Sequence, residues 1–185
     1  MRESQKRRRA QDRPGPYRWA VQVFFLAIAL SAALSLASET SLGGAGAAAA
    51  AAVLAVFIGL GILFDIIGVA VTAAVPRPFL SMAAHKAPGA REALMLLRNA
   101  GRVSSVCNDV VGDICGIVSG TTTAVIVVRL QAALGLPESV ALSVAVTALV
   151  SGLTIGGKAL GKTVALNKST SVVYWVGRVL HLFHR

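Results

Sequence analysis

The chain has 185 residues, of which 55% are hydrophobic and 14% charged, with a mean hydropathy of +0.71. Soluble domains carry about 25% charged residues, so a water-soluble globule is a poor first reading. The charges are also lopsided, 18 Lys and Arg against 8 Asp and Glu. This excess does not point to nucleic acid, because the aromatic side chains that would stack on bases make up only 5% of the chain. The profile is that of an all-α integral membrane protein.

Residues 1–18 form a basic segment carrying Arg2, Lys6, Arg7, Arg8, Arg9, Arg13 and Arg18. A helix needs about 20 apolar residues to cross a bilayer, and the sequence offers four such runs. The first extends from Trp19 to Ala37 and meets the polar break Ser38-Glu39-Thr40-Ser41, so residues 19–42 read as an added transmembrane anchor. A basic start followed by an apolar centre and the small residues Ser35 and Ala37 also describes a signal peptide, whose apolar part is usually shorter, about 7 to 15 residues. The second run rises from the Gly/Ala tract Gly43 to Ala52, reaches Ala74 and is stopped by Val75-Pro76-Arg77-Pro78. It carries one charge, Asp65.

Residues 76–102 form a basic amphipathic loop, with Ala90, Leu94, Met95 and Leu97 on one side and Arg91, Arg98 and Asn99 on another, broken at Pro88-Gly89. Such a segment lies along a membrane surface as a helix or pair of helices. The third run, Val103 to Val128, is interrupted by Asp109 and Asp113, and the fourth, Ser139 to Gly156, is followed by Lys158 and Lys162, which are placed to snorkel to headgroups. The tail, residues 171–185, mixes Tyr174, Trp175 and Phe183 with Arg178 and Arg185, the make-up of an interfacial helix in contact with anionic headgroups. His85, His181 and His184 have no companion ligands in sequence and read as interfacial. Cys107 and Cys115, eight apart, are too distant along a helix to pair and read as buried thiols.

The N-terminal segment, the central loop and everything after the fourth run, from Lys158 to Arg185, hold 17 of the 18 basic residues. The positive-inside rule then puts both termini and the loop in the cytoplasm of a cell whose inner membrane holds four transmembrane helices.

An ionisable side chain inside a membrane run is costly and therefore a functional candidate. Asp65, Asp109 and Asp113 qualify. Asp109 and Asp113 are i and i+4 on one helix face, beside Asn108 and one turn from Ser104 and Ser105. Counted along the helices, the three carboxylates fall at one level, and carboxylate, amide and hydroxyl oxygens together suit a hard cation such as Mg²⁺ or Ca²⁺. Two other readings of these residues stay open: helix-opening caps for Ser104, Ser105, Asn108 and Asp109, and a proton relay for the carboxylates. Gly112, Gly116 and Gly120, spaced by four, and Gly59, Gly61 and Gly68 give flat surfaces for close helix approach, within the chain or between copies. No histidine shares a run with the serines, so no hydrolytic arrangement is legible and an enzyme is not expected.

The stretch F64-D65-I66-I67-G68, the loop ending AREALMLLRNA, the opening N108-D109-V110-V111-G112-D113 and the ending G157-K158-A159-L160-G161-K162-T163-V164-A165-L166 together resemble the transmembrane domain of the CNNM/CorC (CorB) magnesium transporters over residues 43–170. The resemblance implies three spans after the added anchor, a cytoplasmic belt of juxtamembrane helices, a homodimer, and a Mg²⁺ site built by the first two of those spans. Asp65 then falls in the family's serine-rich stretch, and Asn108 and Asp109 near its paired asparagines. Gly157, Leu160, Lys162 and Thr163 match the last motif, whereas its acidic residue is Lys158 here and its proline Gly161. The sequence therefore gives as its leading expectation a divalent-cation transporter working by alternating access around Asp65, Ser105, Asn108, Asp109 and Asp113. The other class is a non-transporting accessory or regulatory subunit of the same fold.

The charge asymmetry yields a direct test of orientation. Cysteines placed at Ser4 and Ser169 should be shielded from an impermeant thiol reagent in intact cells and one at Ser41 labelled; labelling at Ser169 from outside would overturn the four-span topology.

Overall fold

The computed structural model describes residues 16–42, 46–135, 137 and 139–183. The readings placed on Arg2 to Arg13, His184 and Arg185 lie outside the described residues. Among the described residues every regular element is helical, and four helices are long and apolar enough to cross a membrane: Tyr17–Thr40, Ala48–Ala73, Ala100–Leu134 and Val140–Asn167.

Helix α1 (Pro16–Leu42) and α2 (Ala47–Ala73) follow the first two apolar runs. Val75 takes the extended backbone that a following proline imposes (ψ 142°), and α3 (Pro76–Ala84) starts with that proline in its first turn. Lys86 (φ 56°) and Gly89 (φ 85°) turn the chain through left-handed conformations into α4 (Ala90–Arg98). This is the pair of short helices expected around Pro88-Gly89. Met95 is the exception to the expected apolar side, being 55% exposed, while Ala90 and Ala93 are buried.

A single rod then runs from Ala100 to Leu134: α5 (Ala100–Ser105), a π-helical segment (Val106–Gly112) and α6 (Asp113–Leu134), ended by Gly135 in the left-handed conformation that closes helices. The rod is longer at both ends than the run Val103 to Val128. Helix α7 (Val140–Asn167) opens on Ser139, whose Oγ accepts from the Leu142 amide, and passes through Lys158 and Lys162 instead of stopping at Gly156. No proline or polar cluster breaks the chain before Asn167-Lys168-Ser169. Helix α8 (Ser169–Phe183) takes up the tail.

Two apolar cores hold these pieces. At one end Ala70 and Val71 of α2 pack with Phe79, Ala93, Ala165 and Val173, so the short helices α3, α4 and α8 cover the end of α2. Burying Phe79 completely is worth on the order of 2 kcal/mol. Further along, Phe57 meets Val110, Ile114, Cys115 and Val118, and Val23, Ala27, Leu30 and Leu34 of α1 close over them. Helix α1 is thus packed on the rod along its length: Arg102 lies 5.2 Å over the Trp19 ring, and Ser38 Oγ is 3.3 Å from Thr122 Oγ1.

Helices α4 and α8 are clamped by Gly89 and Gly177 and by His181 Nδ1, 2.8 Å from Glu92 Oε1. The partner of His181 was not visible in sequence, because the two residues are 89 apart. A Cβ on Gly177 would stand 2.5 Å from the Gly89 carbonyl oxygen and 2.9 Å from the Ala93 nitrogen, both backbone atoms. Gly177→Ala should therefore lower stability by about 1–3 kcal/mol. Gly152→Ala, where a Cβ meets nothing within 4 Å, should be neutral or gain about 0.5–1 kcal/mol. Thermal unfolding of the two variants in the same detergent compares them.

Candidate functional site

Helix α2 presents two adjacent faces to two different partners. Gly61 and Gly68 face the rod: a Cβ on Gly61 would be 3.3 Å from Cys115 Cβ, and one on Gly68 would collide with the Asn108 amide. Ile62 and Ile66 face α7, where they fill the space over Gly157 and Gly161. Asp65 is four residues after Gly61 and three before Gly68, which puts it on the side of α2 between those two faces. It is half-buried there.

The wall opposite is the π-helical segment. A π turn widens the helix and moves its bonding from i→i+4 to i→i+5, an arrangement often found at functional sites. Gly112 accordingly stacks over the carbonyl of Cys107, five residues earlier, with 3.4 Å between that oxygen and a Cβ built on the glycine. The segment directs the side chain of Asn108 onto Gly68. Its Nδ2 reaches Ser104 Oγ at 3.4 Å, while its Oδ1 is buried with no hydrogen-bond partner. An amide oxygen in that state forgoes a hydrogen bond it would have in water, a cost of about 1–3 kcal/mol.

The third wall is α7, and it brings an unexpected charge. Lys158 Nζ lies 3.7 Å from where a Cβ of Gly112 would be, half-buried and within electrostatic range of Cys115. The expectation that Lys158 snorkels away is corrected: α7 continues past Gly156, and on the continuing helix position 158 turns toward the rod next to the Gly157/Gly161 contact with α2. The persistence of glycine at 157 and 161, with no helix stop beyond them, was the available signal.

The carboxylates do not converge. Among the described residues no three His, Cys, Asp or Glu side chains are gathered as a metal-holding group. Asp109 and Asp113 are exposed, on the stripe of the rod that also carries Gly116, Ile117 and Gly120, whereas Asp65 faces inward from α2. The reason is rotational. The rod buries Cys107, Val110, Ile114, Cys115 and Val118 against α1 and α2, and the residues between them are turned away. Ser105, half-buried just before the π segment, has no hydrogen bond to Asn108; Ser104 takes that place. Of the glycines expected to receive a helix, Gly61, Gly68 and Gly112 do so, while Gly59, Gly116 and Gly120 meet nothing within 4 Å. Both cysteines are buried and unpaired.

Hard oxygen donors thus stand on the two facing helices, Asn108 Oδ1 and Ser104 Oγ on the rod and the Asp65 carboxylate on α2, with the Lys158 ammonium of α7 near Gly112. That donor set suits a hard cation and lacks soft ligands apart from Cys107 and Cys115 nearby. No family model, curated protein or solved structure matches this chain.

Asn108→Leu, of similar size, removes the unpartnered oxygen. It should leave the ligand-free protein as stable as the parent or about 1 kcal/mol more so. Gly68→Ala should cost about 1–3 kcal/mol by pushing the Asn108 amide off its seat. Both shifts are readable as thermal midpoints in one detergent.

Proposed function

We propose that this chain carries a divalent cation across a membrane, with Mg²⁺ as the cargo that the resemblance to the CNNM/CorC transporters implies. The observation that carries this reading is the buried Asn108 Oδ1, held without a partner in a π turn against Gly68. An oxygen left unsatisfied in the native fold is tolerated where a ligand completes its coordination for part of a working cycle. Glycine at 68 and a widened helix at 106–112 also allow the two walls to separate or close by small shifts, as alternating access requires.

Asp109 and Asp113 have a different part in this proposal. Exposed on a spanning-length helix near its basic end, they need water or protein around them, and they would concentrate cations at the inner end of the rod. The orientation is that of the positive-inside reading: inner membrane, both termini cytoplasmic, the belt α3, α4 and α8 on anionic headgroups. The assembly is the homodimer the family resemblance implies.

Lys158 favours the second reading. A fixed ammonium beside Gly112 opposes a divalent ion bound nearby, as befits an accessory or regulatory subunit that keeps the fold without the flux. Mg²⁺-dependent thermal shift and Mg²⁺ flux into vesicles separate the two. Under the transport reading the parent protein gains about 2.7 kcal/mol at a Mg²⁺ concentration 100 times Kd, and Asp65→Asn and Asn108→Leu each weaken that response at least tenfold and abolish flux. If both variants keep the parent's response, or the parent carries no Mg²⁺, the accessory reading replaces it.

A further inference from the structure

The turn that joins α3 to α4, the start of α4 and His181 of α8 surround an open pocket of about 350 Å³, a size at the lower end of small-molecule sites. The turn is held by its own backbone. Lys86 N donates to the Ala83 carbonyl at 3.1 Å and Ala87 N to that of Met82 at 2.9 Å, the pair of bonds that closes a helix through a left-handed residue. Glycine ordinarily takes that left-handed place; here it is Lys86 (φ 56°), so the closing residue brings a cation to the lining. Gly89 packs on the backbone of Gly177 and Arg178, and one turn further along α8 His181 Nδ1 meets Glu92 Oε1 at 2.8 Å. The backbone of the lining is thus fixed before anything binds.

Four titratable side chains stand on this lining: Lys86, Arg91, Glu92 and His181. The Glu92 carboxylate, 16% exposed, is engaged by His181. Lys86 and Arg91 are exposed and enter no ion pair among the described residues. The positive end of the nine-residue α4, capped by Gly89 with no side chain over it, lies on the same lining. Two cations without a counter-ion face one carboxylate that is already bound. Such a lining takes an anion and has no free carboxylate to receive a ligand's ammonium.

Charge alone does not choose between a lipid and a soluble phosphate; the apolar surroundings do. Leu182 and Phe183, which follow His181, are 71% and 86% exposed, and Leu80 of α3 is exposed as well. Large apolar side chains beside a cationic pocket suit a surface that offers acyl chains and phosphates together. Trp175 of the same helix is exposed too, with Arg178 5.6 Å over its ring, a pairing typical of headgroup level.

We infer that this pocket is the headgroup site of an anionic glycerophospholipid of the phosphatidylglycerol type, whose phosphodiester is taken by Lys86 and Arg91 and whose chains run along Leu182 and Phe183. Basic pockets between helices at the inner membrane surface hold such lipids in this way. The inference rests on the function proposed above only in placing the belt at a membrane surface; Mg²⁺ flux does not enter it. A phosphatidylcholine headgroup offers the same phosphate but brings a quaternary ammonium to two cations with no free carboxylate to answer it, so the pocket discriminates by repulsion.

A ligand that binds only the folded belt raises the unfolding midpoint. The full chain in a neutral detergent is therefore titrated with dioctanoyl phosphatidylglycerol, dioctanoyl phosphatidylcholine and glycerol phosphate. Phosphatidylglycerol should raise the midpoint saturably, and the half-maximal concentrations of the other two should be at least tenfold higher. Lys86→Gln with Arg91→Gln should raise the phosphatidylglycerol half-point at least tenfold. Arg77→Gln with Arg98→Gln, an equal loss of charge at exposed positions off the lining, should move it less than twofold. Arg91→Gln alone, at an ordinary helical position, should raise it at least threefold, and it carries the test if the double variant does not fold.

No saturable response, an equal response to phosphatidylcholine, or an equal loss in the Arg77/Arg98 control would overturn the inference. Glycerol phosphate acting as strongly as the lipid would overturn it in favour of a soluble phosphate. A selective lipid response in a parent that carries no Mg²⁺ would retire the transport reading and leave the lipid site standing, whereas Mg²⁺ flux without that response would overturn the lipid site alone.

Discussion

Helix α2 is touched by α1, the rod and α7, and the closeness of the last two approaches governs what surrounds it. Glycine at 61 and 68 lets the rod press Cys115 and Asn108 onto the α2 backbone, and glycine at 157 and 161 lets α7 receive Ile62 and Ile66. Between helices in hydrocarbon there is no hydrophobic drive, so the association energy comes from van der Waals contact, which small residues maximise by bringing backbones together. With these contacts fixed, the rotation of each helix is fixed too, and with it which polar groups turn inward. Asn108, Asp65 and Lys158 are inward because of where the glycines are.

The π-helical segment lies where the rod meets this face of α2. Asn108, within it, sits on Gly68, and Cys115, just past its end, sits on Gly61. The wide turn carries the Asn108 oxygen that has no partner. Unsatisfied polar groups are rare in native structures, and here two of them, Asn108 Oδ1 and Ser119 Oγ, occur on this one rod. The rest of the protein is apolar and closely packed on α2, or lies in the belt of α3, α4 and α8, where His181 and Glu92 find each other.

Composition, run length and basic loops determined from the sequence alone that the chain is helical, that four helices are long and apolar enough to span a membrane, and that short amphipathic helices follow α2 and α7. Those properties are local, set by hydropathy, proline at 76 and 78, and the charges themselves. Depth along each helix was also legible, which is why Asp65 and Asn108 could be named as candidates. Azimuth was not. Whether Asp113 turns toward Asp65 or away from it depends on the π segment and on which glycine meets which neighbour, and neither is written in a period of 3.6 residues. The inward course of Lys158 and the seat of Asn108 on Gly68 were decided only by the tertiary structure, because each joins residues on separate helices through contacts that hydropathy does not encode.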